Sequence, residues 1–359
     1  MNSINLFLDF MRTHAAITGV ASYLPEYIMK NEELEEMVDT TSDWIMERSG
    51  IRERRILKDK DKATAFMAAE AAKKLLKKKN INPLEVELVI VCTATPEYQF
   101  PATANVVCHM IGATNAWSFD LLGACSGFVY ALTVASKFIE TGTHKKVLVI
   151  GSDKMSSIVD WTDRRTCILF GDGAGAVLLE PDSEGYGIVD SRMYSDGSGQ
   201  PHLYQVAGGS LNPASEETVK NRQHHITMNG QAVFKLAVVK MADVAEEMMM
   251  RNGLTAENVA YLVPHQANKR IIEVTAERMH IGMDKVMLNI ERYGNTTTGT
   301  IPICLDEWET KLKKGDNIII TTFGAGFTWG GIYAKWAYDT PEKNDPDSKN
   351  TVNEKVTVA

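Results

Sequence analysis

The chain has 359 residues, with 38 Lys and Arg against 46 Asp and Glu, a formal net charge of −8. That length predicts about two folded units whose core needs no metal or disulfide to hold it, and the acidic balance argues against nucleic acid as the main partner. With 44% apolar and 23% charged residues the composition is globular, and five cysteines without a CxxC pair argue against a zinc site or disulfide framework and for a reducing compartment.

In chain order, MNSINLFLDFM has no basic start and Asp9 interrupts its apolar run, so it does not read as a signal peptide. Residues 1–10 read as an N-terminal extension, since Met11 precedes the first strand-like run, Ala15 to Tyr23. Nowhere does an apolar stretch reach the roughly 20 residues that span a bilayer, and the expectation is a cytoplasmic protein. Helical stretches are predicted at Thr64–Lys79, Gly127–Glu140 and Gly230–Asn252, and strands at VELVIVCTAT (86–95), KKVLVIGSD (145–153) and GAGAVLLE (173–180). Strands separated by helices imply buried sheets covered by helices, an α/β architecture. Residues 340–359 are polar, lack an aromatic residue and read as a disordered tail.

Two segments repeat. VELVIVCTAT (86–95) resembles NVAYLVPHQA (258–267), and GFVYALTVASKFIETGTHKKVLVIG (127–151) resembles GTIPICLDEWETKLKKGDNIIITTFG (299–324). Both pairs share an offset near 172, which suggests a duplicated αβ unit. An N-terminal half over 11–184 and a C-terminal half over 185–339 follow.

Cys125 in DLLGACSGF falls at a strand-to-helix turn between small residues. The positive end of the helix should favour its thiolate, although a lone cysteine is more often a small buried apolar residue. For Cys92, Cys108, Cys167 and Cys304 the core reading is preferred. His265 in YLVPHQAN ends an apolar strand, where α/β proteins gather catalytic groups. Asn295 in RYGNTTTGT reads locally as a turn or cap, yet the repeat offset sets its loop opposite that of Cys125. FGDGAGA (170–176) and FGAGFTWG (323–330) fit neither a P-loop nor a dinucleotide fingerprint. They read as tight turns with close backbone approach, one of which could present backbone N–H groups to an oxyanion.

Taken together, GVASYLPE (19–26), TSDWIMERSGIRERR (41–55), GACSGF (123–128), DRRTCILFGDGAGAVLLE (163–180), MNGQAVFK (228–235), VPHQANKRII (263–272), GNTTTGTIP (294–302) and FGAGFTWG (323–330) resemble the thiolase-fold condensing enzymes, and among them β-ketoacyl-[acyl-carrier-protein] synthase III. The resemblance covers 15–338 and implies a thiolase-like fold with duplicated αβ halves layered α-β-α-β-α. It also implies a Cys-His-Asn triad of Cys125, His265 and Asn295, with an oxyanion N–H at Ala325, where the family often has Gly, and an aromatic gate at Phe234. For CoA it implies Trp44 and Arg164 flanking the adenine, Arg48 at the phosphates, and Thr40, Gly230 and Asn268 along a tunnel. Lys235, Lys269 and Arg270 would meet an acidic carrier protein, with Arg270 first. A homodimer is implied, with Phe100 of one subunit closing the acyl pocket of the other. No metal and no cofactor is expected, since the CoA thioester is a substrate.

The function expected is initiation of fatty acid synthesis, in which a short acyl-CoA, acetyl-CoA first, condenses with malonyl-carrier protein through an acyl-cysteine. A related condensing enzyme of a secondary pathway is the alternative. A cysteine hydrolase and a non-catalytic acyl-CoA-binding module are the remaining readings.

Overall fold

Runs such as Leu88–Cys92 and Val147–Ile150 are apolar throughout and buried at every position, as strands covered on both faces must be. The computed structural model describes residues 13–340. The extension at 1–10, and all of the 340–359 tail beyond its first residue, lie outside the described residues. One sheet contains β1 (His14–Tyr23), β2 (Leu88–Cys92), β3 (Trp117–Leu121), β4 (Val147–Lys154) and β5 (Asp172–Asp182) in the order β1-β5-β4-β2-β3. A second contains β6 (Gly187–Ser195), β7 (Tyr261–Pro264), β8 (Asn317–Gly324) and β9 (Thr328–Lys335) in the order β7-β8-β9-β6.

The repeat is visible in the pairing. β2 runs parallel to β4 with Cys92 opposite Gly151, and β7 runs parallel to β8 with Pro264 opposite Thr321. Each half then has a 3-10 turn, Ala124–Ser126 or Thr297–Gly299, leading into a helix. The helices of eight residues or more are α1 (Ser42–Ser49), α2 (Thr64–Lys79), α3 (Thr103–Ile111), α4 (Gly127–Glu140), α5 (Gly230–Arg251), α6 (Lys269–Arg278) and α7 (Thr300–Trp308) among the described residues.

Core packing defines the layers. α4 and α7 lie between the sheets, with Phe128, Leu132, Ile301 and Leu305 packed among residues of both. α2 and α3 cover the outer face of the first sheet, and α5 and α6 that of the second. The order is therefore α-β-α-β-α, as expected from the sequence.

One local reading is corrected. FGDGAGA is not a turn, because the chain is strand from Asp172 onward. The close approach expected of its glycines is present: a Cβ on Gly175 would lie 2.6 Å from Pro302 Cβ. FGAGFTWG does turn, linking β8 to β9.

Candidate active site

Cys125 sits in the 3-10 turn that starts α4, after Ala124 with a left-handed φ of 44°. The other half clamps this turn. Thr322 Oγ1 donates to the Cys125 carbonyl at 2.9 Å, and Ser126 Oγ donates to the Thr328 carbonyl at 3.1 Å. Gly324 lies so close that a Cβ there would be 3.0 Å from the nitrogens of Cys125 and Ser126. Cys125 is 8% exposed. Burial pushes its thiol up to about 12, and the Asp153 carboxylate adds to the rise; the Cys125 backbone N–H and the Asn295 side chain pull the other way. The expected thiolate is thus overturned. Desolvation in an enclosed site outweighs the partial charge of a helix end.

His265 follows β7 and is 1% exposed. Its backbone N–H donates to the Thr321 carbonyl at 2.8 Å, and its Nδ1 lies 2.7 Å from Thr300 Oγ1. Among the described residues Nε2 has no hydrogen-bond partner, although it is buried. Burial lowers the imidazole to about 3, so it is neutral at physiological pH. The next residue, Gln266, locks the turn. Its amide donates to the carbonyls of Pro264 and Met287 at 2.8 and 3.0 Å and accepts from the Asn289 and Ile290 N–H groups at 3.0 and 3.2 Å.

Asn295 is held across the molecule. Its N–H donates to the Leu169 carbonyl at 2.9 Å and its carbonyl accepts from the Gly171 N–H at 3.1 Å. The side-chain Oδ1 accepts from the Thr297 N–H at 2.9 Å, which turns the amide NH2 toward the Cys125 sulfur. The local-turn reading is therefore correct for Oδ1 and incomplete for the other end of the amide. Beyond it, the Thr298 N–H and Oγ1 both donate to Asp153 Oδ2, at 3.0 and 2.6 Å. The other oxygen of Asp153 accepts from Thr93 Oγ1, the Ala94 N–H, and both the N–H and Oγ1 of Thr95. One buried carboxylate thereby joins the end of β2, the end of β4 and the Asn295 loop.

Cys125, His265 and Asn295 line a single cavity of about 690 Å³, together with Phe234 and Ala325. Trp44, Arg48, Gly230, Asn268 and Arg270 also line it, whereas Thr40, Arg164, Phe100, Lys235 and Lys269 do not. Arg164 lies over the Trp44 ring at 5.4 Å and donates to the Asp39 carbonyl at 2.6 Å. The two residues expected on either side of a base are in contact with each other. Asn268 caps α6 through the Arg270 N–H at 2.9 Å, and its Nδ2 donates to the Arg48 carbonyl at 2.7 Å. Arg270 lies 4.9 Å over the Phe234 ring, and Lys269 is 3.8 Å from Glu273. Phe100 is 85% exposed and contributes nothing to the cavity of its own chain. Among the described residues, no group of three or more His, Cys, Asp or Glu side chains is placed to hold a metal, and no helix is long and apolar enough to cross a membrane.

The family described as 3-oxoacyl-[acyl-carrier-protein] synthase III matches residues 119–197, and its C-terminal part matches 249–336. A β-ketoacyl-[acyl-carrier-protein] synthase III of Chlorobium phaeobacteroides is 57% identical over 326 residues, covering 90% of this chain and 99% of that one. The chain belongs to the β-ketoacyl-[acyl-carrier-protein] synthase III family. Among solved structures, the 3-oxoacyl-[acyl-carrier-protein] synthase III of Aquifex aeolicus superposes with a TM-score of 0.82 at 42% identity, over 90% of this chain and all of that one. The priming β-ketosynthase of the R1128 polyketide biosynthetic pathway gives 0.84 at 32% identity, over 92% and 98%.

Reading the sequence missed Asp153, Gln266 and Thr300. HQA stands inside a motif that carries the resemblance and GSD closes a predicted strand, but nothing local marks Asp153 as an acceptor for a loop 145 residues away. Thr300 was legible only as part of a threonine-rich helix start.

Proposed function

We propose that this acyltransferase of the condensing type primes fatty acid synthesis, joining a short acyl-CoA, acetyl-CoA in the simplest case, to malonyl-[acyl-carrier-protein]. The observation that carries the reading is the convergence of a buried thiol, an unpartnered neutral imidazole nitrogen and a carboxamide NH2 on one cavity. The Cys125 sulfur attacks the thioester, the acyl–sulfur bond to CoA breaks, and the thiol proton ends on the CoA sulfur. Malonyl-carrier protein then loses CO2, and the electron pair of the broken C–C bond passes to an enolate on the thioester oxygen.

Two uncharged donors at His265 and Asn295 suit that oxygen, each worth about 3–4 kcal/mol of barrier. The α-carbon attacks the acyl-cysteine, whose oxyanion meets the N–H groups of Cys125 and Ala325. The C–S bond breaks and one proton restores the thiol. Trp44, Arg48, Arg164, Thr40, Gly230 and Asn268 are proposed to hold CoA, with Arg164 leaving the Trp44 ring to admit a base. Lys235, Lys269 and Arg270 are proposed to meet the carrier protein, and Phe234 to gate the cavity. CoA enters as a substrate, with no cofactor, in the cytoplasm.

Intact mass after mixing with a panel of acyl-CoA thioesters tests the reading. One acyl adduct that is absent from Cys125→Ala is expected, and this variant keeps malonyl decarboxylation. A panel that leaves the mass unchanged, with loading from acyl-carrier protein instead, would remove the priming role. The second reading, a priming enzyme of a secondary pathway, is favoured by the similarity to the R1128 ketosynthase; loading of an unusual starter in preference to acetyl would select it.

A further inference from the structure

Thr300 opens α7, and its single hydroxyl proton has two acceptors within reach. His265 Nδ1 lies at 2.7 Å and the Thr297 carbonyl oxygen at 3.1 Å. A neutral imidazole carries one N–H, so the choice matters. If the hydroxyl donates to Thr297, Nδ1–H must donate to Oγ1, and Nε2 faces the cavity as a bare lone pair. If it donates to Nδ1, the ring proton sits on Nε2.

The distances discriminate. O–H···O bonds span about 2.5–3.0 Å, while N–H···O bonds span about 2.7–3.2 Å with a mode near 2.9–3.0 Å. The 3.1 Å contact to the carbonyl lies beyond the O–H···O range, and 2.7 Å to Nδ1 lies at the short limit for an N–H donor, so the hydroxyl proton is placed on the Nδ1 contact. Nothing else among the described residues hydrogen-bonds the ring: Nδ1 has Thr300, and buried Nε2 has no partner. A proton on Nε2 therefore has no acceptor among the described residues and is presented to whatever occupies the cavity.

We propose that Thr300 is a positioning residue that fixes His265 as the Nε2–H tautomer, so that the ring offers the substrate oxygen a donor and not a lone pair. The tautomer stands on these contacts alone; that the donor meets a malonyl thioester rests on the condensing function above. In this form His265 cannot accept the Cys125 proton, so its work lies in decarboxylation and not in the acylation of Cys125. The tautomer of a histidine is commonly set by the partner of its other nitrogen.

The test is ring-15N NMR of full-length protein labelled in histidine, with the His265 signals assigned by their loss in His265→Asn. Wild type and Thr300→Ser should show protonated Nε2 and unprotonated Nδ1, and Thr300→Val should lose that pattern. Malonyl-carrier-protein decarboxylation should fall about 10- to 100-fold in Thr300→Val, the range found when a metal-bound histidine loses the partner that orients it. It should recover in Thr300→Ser, while acyl loading of Cys125 stays unchanged in both. A proton on Nδ1 in wild type overturns the proposal even if Thr300→Val does not fold. So does wild-type decarboxylation in a folded Thr300→Val. Protonated Nε2 in a protein that decarboxylates no malonyl thioester would leave the tautomer standing and remove the reaction.

Discussion

At Cys125, burial and the helix end act in opposite directions, and burial wins because the sulfur is enclosed while the helix contributes only partial charge. Iodoacetamide modification of Cys125 should therefore rise about tenfold per pH unit through the alkaline range without levelling near pH 8, since only the thiolate reacts. A plateau at neutral pH in a rate–pH profile would contradict the buried thiol. His265 gives the complementary case. Folded protein keeps it neutral down to about 3, whereas the unfolded chain protonates near 6.5. Between those values the unfolded state binds more protons, so His265 makes stability decline as pH falls from about 6.5 toward 3. Denaturant midpoints at neutral and mildly acid pH should show a shallower decline in His265→Asn than in wild type. The catalytic consequence is that decarboxylation should show no ionisation of His265 near its ordinary value.

At the scale of elements, the two 3-10 turns do the positioning, and each is held by the other half of the molecule. The Cys125 turn is clamped by Thr322, Thr328 and Gly324 of the C-terminal sheet. Asp153, at the end of β4 in the N-terminal sheet, holds the turn that follows Asn295. Asp153→Asn replaces an acceptor with a donor and orphans several N–H and O–H groups, each worth about 1–3 kcal/mol when buried. Thermal unfolding should come at lower temperature, and malonyl decarboxylation should fall more than acyl loading because the Asn295 loop loses its anchor. Removing the carboxylate also removes a charge that raises the Cys125 thiol, so alkylation should begin at lower pH. Unchanged alkylation in a folded Asp153→Asn would show that the charge does not reach the sulfur.

For the whole molecule, Phe100 at 85% exposure and Tyr98 at 59% before α3, with Leu122 at 80% after β3, leave large apolar side chains facing solvent. We propose that a second copy covers them. Sedimentation should report twice the chain mass, and Phe100→Ala should widen the range of acyl-CoA chains loaded without loss of fold, since the side chain makes little contact within its own subunit. A monomer at micromolar concentration would remove this arrangement.

The α/β class, the helix bounds at Thr64–Lys79 and Gly127–Glu140 and the duplication at an offset near 172 were all legible in the chain, because apolar periodicity and turn residues are local signals. The motifs around Cys125, His265 and Asn295 were legible too, through their resemblance to a family. Tertiary structure alone decided that Cys125 is a thiol, that the Asn295 amide turns its NH2 to the sulfur, that Arg164 rests on Trp44, and that Asp153 and Thr300 stand behind the site. Protonation follows from desolvation, and side-chain orientation from partners brought together only when the two halves pack. Neither is contained in a window of sequence.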